Sequence, residues 1–155
     1  MRKVTFLDVD GVLNNVKTKE RYNGKLGATA FQLIGFDPKN VAAFNAFQRV
    51  ANTQIVVSSS WRCGRSVEEL REILRDAGVV GEVIDKTGHA LSRRRGFEIQ
   101  DWLDANPVDG FVILDDSDDM EHLLPKLVRT SWAKGMLKKH VPLALKVLAE
   151  PVINR

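Results

Sequence analysis

The stretch Val4-Thr5-Phe6-Leu7-Asp8-Val9-Asp10-Gly11-Val12-Leu13 decides how the rest of the chain is read. Its first half is β-branched and apolar at consecutive positions, not alternate ones, which is the pattern of a strand covered on both faces, as in parallel sheets. The run stops at two carboxylates two residues apart and a glycine that permits a tight exit. Two further runs have the same form. Gln54-Ile55-Val56-Val57 leads into Ser58-Ser59-Ser60-Trp61-Arg62, and Gly110-Phe111-Val112-Ile113-Leu114 leads into Asp115-Asp116-Ser117-Asp118-Asp119.

Helical patterns fill the intervals. Asn40 to Val50 carries Val41, Phe44, Phe47 and Val50 at spacings of three, and Ser66 to Asp76 opens with the capping-box pair Ser66 and Glu69 and stops near Gly78. Phe97, Ile99, Trp102 and Leu103 mark a third helix, ended by Asn106-Pro107. Asp118 to Leu124 reads as a short helix, Lys126 to Thr130 as a late strand, and Met136 to Ala149 as a last helix with Pro142 near its first turn. Strand and helix alternate, which predicts an α/β domain with a mostly parallel, doubly wound sheet. In such sheets sites form at the carboxyl ends of the strands, where the polar endings lie. Residues 14–38, rich in Lys, Gly and Asn with little periodicity, predict a long loop, flap or small cap inserted after the first strand; residues 79–92 predict a shorter insertion.

The length of 155 residues fits one domain over 1–155, and 44% apolar residues supply a core. No run approaches the roughly 18 to 20 apolar residues of a membrane span. The single cysteine, Cys63, forms no internal disulfide, and with His89, His122 and His140 it makes a poor structural zinc set, so a reducing cytoplasm is the expected location. The net charge is +3. Six acids are concentrated in the Asp8–Asp10 and Asp115–Asp119 runs, leaving the remainder of the chain clearly basic and suited to polyanions.

Each polar ending also has an ordinary reading. Asp-Gly is a routine turn, Ser58 to Ser60 could simply end a strand, and Asp118 could cap the next helix, although a cap needs one acid and this run has four. Runs such as Arg93-Arg94-Arg95 are usually solvated surface. Trp61 and Trp102 are read as packing residues.

In combination these endings resemble the haloacid dehalogenase-like (HAD) phosphohydrolase superfamily. Its first motif, an apolar strand followed by Asp-x-Asp-Gly, is matched by Phe6 to Val12, and its second, a strand ending in Ser or Thr, by Ile55 to Arg62. The third, a basic residue before a helix, is matched by Arg93-Arg94-Arg95-Gly96-Phe97-Glu98-Ile99, and the fourth, a strand ending in acids, by Val112 to Asp119. Within that superfamily Ser-Ser-Trp-Arg, Arg-Gly-x-Glu-Ile-x-x-Trp-Leu and Leu-Asp-Asp-x-x-Asp-Met are most similar to a small branch associated with RNA-repair proteins. They are more distantly similar to the phosphatase half of polynucleotide kinase-phosphatases.

The resemblance implies a Rossmannoid three-layer sandwich with a small or absent cap, and a site to match. Asp8 is implied as nucleophile and metal ligand, Asp10 as acid–base and as a ligand through its backbone carbonyl, and Asp115 as a direct ligand; Asp116 and Asp119 would orient the metal's waters and Arg95. Ser59 and Arg95 are the choices for the second and third motifs, with the registers of 58–60 and 93–95 open. Gly11, Ser60, Arg62 and Arg94 are expected around the substrate. Oxygen-only ligands suit Mg²⁺. Asp10 favours a phosphatase over a dehalogenase, since ester hydrolysis must protonate an oxygen leaving group. A small flap leaves an open cleft, and Lys17, Lys19, Arg21, Lys25 and Arg93 to Arg95 would suit an RNA or DNA end, a 3′-phosphate ranking first. A nucleotide, small-molecule or phosphoprotein phosphatase is the alternative, and a non-catalytic phosphate-binding module the alternative from another class.

Overall fold

The structure is a computed structural model that describes residues 1–18, 35–89 and 94–152. Five strands form one all-parallel sheet: β1 (Lys3–Leu7), β2 (Gln54–Val57), β3 (Glu82–Lys86), β4 (Gly110–Asp115) and β5 (Leu127–Arg129), in the order β3-β2-β1-β4-β5. Among the described residues four complete α-helices accompany them: α1 (Pro38–Ala51), α2 (Val67–Asp76), α3 (Arg95–Ala105) and α4 (His140–Ala149). This is the three-layer α/β arrangement expected.

Burial on both faces explains the unbroken apolar runs. Along the strands successive residues serve opposite sides: Leu7, Ile55, Val57, Val112 and Leu114 pack with α1, α2 and α4, whereas Phe6, Val56, Phe111 and Ile113 pack with α3, Met120 and Leu123. Chain order rises outward from β1 to β2 and β3, then returns to β4 on the other side. The loops after β1 and β4 therefore emerge side by side, and this switch point opens a crevice at the strand ends.

Local signals set the helix ends. Asp37 caps α1 by accepting from Lys39 N at 2.8 Å, Pro38 occupies its first turn, and Asn52 closes it at φ 48°. The predicted capping box of α2 is present, with Ser66 and Glu69 bonded reciprocally.

Four expectations are corrected. Residues 79–92 are not simply an insertion, because they contain edge strand β3, whose half-polar sequence Glu-Val-Ile-Asp-Lys hides it. The short helix is a 3₁₀ segment at Glu121–Lys126, not Asp118 to Leu124, and α4 starts at His140 and not at Met136. Val50, counted on the apolar face of α1, is 70% exposed. Most of the anticipated flap, including Lys19, Arg21 and Lys25, lies outside the described residues, as does Arg93.

Candidate active site

The sheet carries its polar endings to one place by backbone pairing. Asp8 N donates to Leu114 O (3.0 Å), Ser58 N to Leu7 O (3.0 Å) and Thr130 N to Asp115 O (2.9 Å), so the first residues past β1, β2 and β5 stay in register with the ends of their neighbouring strands. Asp8, Asp115 and Asp116 consequently converge, each offering a carboxylate oxygen within 4.8 Å of the others. Asp8 and Asp115 are buried. Gly11 makes this approach feasible: its φ is +81°, and a Cβ there would lie 2.4 Å from Asp116 Oδ2.

Arg95, at the start of α3, reaches into the acids. Its Nη1 lies 3.2 Å from Asp8 Oδ2 and also pairs with Asp115 Oδ2. The helix is held there from the β4 loop, since Asp119 Oδ2 accepts from Arg95 N at 3.2 Å and Asp119 O accepts from Gly96 N at 2.9 Å. Asp119 thus caps α3 in place of Arg94, whose side chain makes no cap bond. Gly96 is obligatory in this contact, because a Cβ would sit 2.3 Å from Met120 O.

Burial pushes the Asp8 carboxyl well above the ordinary aspartate range, and the Asp115 charge adds to the shift against the opposing pull of Arg95 and Ser59. Burial also raises Asp115, again opposed by Arg95. Burial alone would lower the Arg95 guanidinium, but Asp8 and Asp115 outweigh it and hold it charged. Three carboxylates face one guanidinium, so the cluster is short of positive charge. Its donors are all hard oxygens, two of them buried, and that set fits Mg²⁺ better than a thiophilic metal.

The Asp10 carboxylate stands apart from the acidic cluster. Its Oδ1 accepts from Asn14 Nδ2 (2.8 Å) and its Oδ2 from Trp61 Nε1 (3.1 Å). Trp61 is therefore a packing residue with a second task, and neither it nor Asn14 was singled out for this role; the tryptophan following three serines was the available signal. Of those serines, Ser59 bonds Asp8, Ser58 is fully buried with its hydroxyl unpartnered among the described residues, and Ser60 is exposed on the cleft wall.

Two residues expected around the substrate have other engagements. Arg62 is buried and braces the loops: Nε donates to Thr87 O (3.0 Å), Nη1 to Ser59 O (2.9 Å) and Nη2 to Glu98 Oε2 (2.7 Å). Its donors are spent on protein acceptors. Arg94 points outward and pairs with Glu121. Cys63 Sγ lies 3.8 Å from His89 Nε2 at the rim of a cleft of about 540 Å³ that Arg95, Asp119 and Glu98 also line. His122 bonds Gln100, and His140 caps the turn before α4.

Among the described residues no helix is long and apolar enough to cross a membrane. Searches of the curated proteins and of the solved structures returned no match. The family model described as "HAD domain in Swiss Army Knife RNA repair proteins" matches residues 4–141. That span includes all five strands of the sheet but for Lys3 and all four motifs, so the chain belongs to the HAD superfamily and, within it, to this RNA-repair branch.

Proposed function

We propose that this domain is a Mg²⁺-dependent phosphomonoester hydrolase that acts through an aspartyl-phosphate on Asp8, with phosphorylated nucleic-acid ends, 3′-phosphates first, as its substrates. The family implies phosphohydrolase activity and general use of Mg²⁺. The observation that carries the reading is the convergence of Asp8, Asp115 and Asp116 around Arg95, with Ser59 against Asp8 and Asp10 held separately.

Asp8, Asp115 and the Asp10 carbonyl oxygen would hold the ion, with Asp116 beside them. Bound there, Mg²⁺ offsets the charge that otherwise keeps an anionic nucleophile away from a phosphate. Asp8 attacks phosphorus, forming the acyl-phosphate bond as the ester P–O bond breaks. Asp10 gives its proton to the departing alkoxide oxygen. Asp10 then takes a proton from water, whose oxygen attacks the same phosphorus and releases inorganic phosphate and the regenerated Asp8. Ser59 donates to a phosphoryl oxygen, and Arg95 neutralises charge on the group in transfer. Trp61 and Asn14 fix the Asp10 carboxylate where it can serve both half-reactions.

A burial-heavy fold with a single exposed thiol suits a reducing cytoplasm. Hydrolysis of p-nitrophenyl phosphate with Mg²⁺, abolished by EDTA and by Asp8→Asn, is the expected result. Phosphate binding without turnover would instead identify a non-catalytic module. Faster hydrolysis of 3′-phosphorylated oligonucleotides than of mononucleotides supports the nucleic-acid reading, and equal rates return the substrate to the small-molecule class.

A further inference from the structure

A second depression, of about 650 Å³, starts just past the acid–base loop. Two consecutive asparagines join the two places. Asn14 holds Asp10, whereas Asn15 Nδ2 turns the other way and donates to Asp37 Oδ2 (3.0 Å) and Asn40 Oδ1 (2.9 Å). Asn40 Nδ2 in turn ties Lys134 O (2.8 Å) and Met136 O (2.9 Å), and Val16 N pairs with Trp132 O (2.9 Å). The groove is thus built by the segment after Asp10, the start of α1 and the loop after β5.

Its chemistry is one-sided. Lys17, Lys39 and Lys134 are exposed on its rim, and among the described residues no carboxylate pairs with their ammonium groups. The one acid in the lining, Asp37, is occupied by Asn15, Thr18 and Lys39 N, partners that hold its carboxyl below the ordinary range despite burial. Between the lysines the floor is apolar, supplied by Val16, Pro38 and Leu137. Mobile point charges around an apolar floor suit a flexible polyanion whose sugars and bases also need contact; a single small anion is better served by a buried cationic cage.

We propose that this groove binds the sugar–phosphate backbone of a single-stranded nucleic acid leading up to the phosphorylated end. The inference rests on the proposed function in one respect. Asp10 protonates the leaving oxygen, so the nucleoside and the strand behind it depart on the side of Asp10, and from there the chain runs through Asn14 and Asn15 to the lysine rim.

The test measures fluorescence anisotropy of a labelled single-stranded oligonucleotide bearing a 3′-phosphate, titrated with the Asp8→Asn protein with and without Lys17→Gln, Lys39→Gln and Lys134→Gln together, over a range of KCl. The triple change is expected to weaken binding at least tenfold. It should also flatten the plot of log affinity against log salt by about 2, each lost phosphate contact accounting for ~0.7. Unaltered affinity and slope would overturn the proposal. Equally lysine-dependent binding of poly-glutamate would overturn it too, since the groove would then read acidity and not a nucleic-acid strand. Kinetics keep the two readings separate. Lysine-dependent oligonucleotide binding by a protein that hydrolyses no phosphomonoester retains the groove and removes the phosphatase. Hydrolysis of p-nitrophenyl phosphate by a protein whose oligonucleotide affinity ignores the lysines does the reverse.

Discussion

Arg62 and Arg95 line the same cleft, and each is paired with buried carboxylate, yet their surroundings are opposite in kind. Arg62 has one carboxylate, Glu98, and backbone carbonyls to take its remaining donors. Charge and hydrogen bonds there are balanced, and the region serves as a brace between the β2 and β3 loops and α3. Arg95 pairs with two aspartates, Asp8 and Asp115, of a three-carboxylate cluster that its single charge cannot neutralise. Gathering unmatched acids adds no stability, which is the electrostatic condition the proposed Mg²⁺ site requires.

Asp8→Asn should break the contrast most severely on the side of activity, lowering turnover of p-nitrophenyl phosphate by ~10⁴-fold or more while far-ultraviolet circular dichroism stays unchanged. The corresponding assault on the brace is Arg62→Met. It strands Glu98 as an uncompensated buried charge and should cost about 3–5 kcal/mol, lowering the unfolding midpoint by on the order of 10 °C in calorimetry. Trp61→Phe keeps the ring and removes the bond to Asp10. A loss of roughly tenfold in kcat/KM is expected on alkyl phosphates, whose leaving oxygen needs a proton, and a smaller loss on p-nitrophenyl phosphate, whose leaving group does not. A uniform loss on both would assign Trp61 to packing alone.

Asp115→Asn sharpens the comparison from the other direction. In EDTA it should raise the unfolding midpoint by about 2–4 °C, because it removes a carboxylate disfavoured by its own burial whose charge also opposes that of Asp8, while Mg²⁺-dependent turnover is lost. The brace offers no such trade. The smallest effect belongs to His140, remote from both regions. Burial and the neighbouring Lys139 charge lower its pKa, and Nδ1 accepts from Leu137 N at 2.9 Å, a bond that only the neutral ring can make. As pH falls through the range near 6.5, the unfolded chain takes up this proton before the folded one does, so stability is present above that range and declines below it. Calorimetry at pH 7.5 and 5.5 should show a drop larger by about 1–2 °C for the wild type than for His140→Asn.

The ease of reading differed between these regions for a physical reason. The meeting of Asp8 with Asp115 was legible because unbroken apolar runs mark where central parallel strands stop, and both acids stand at such stops. Strand β3 was not legible. It lies at the sheet edge, and its sequence, Glu82-Val83-Ile84-Asp85-Lys86, alternates too little and is too polar to resemble its buried neighbours. The engagement of Arg62 with protein acceptors was not legible, because an arginine after a strand end reads the same whether it faces ligand or carbonyls. Its partner Glu98 lies 36 residues on, and only the fold brings the two together. Trp61 escaped for the same reason, being 51 residues from the carboxylate it serves, whereas Asn14, 4 residues away, reads as the start of the long loop.

Gly11 and Gly96 carry a consequence for how such a domain can diversify. Each gives up a side chain so that the β4 loop can press against another motif: Asp116 against the first at Gly11, Met120 against the third at Gly96. Even a methyl group at either position would wedge the loops apart. Substitution at these seams is therefore a paired problem: a side chain at either glycine is accommodated only where the facing part of the β4 loop moves away as well.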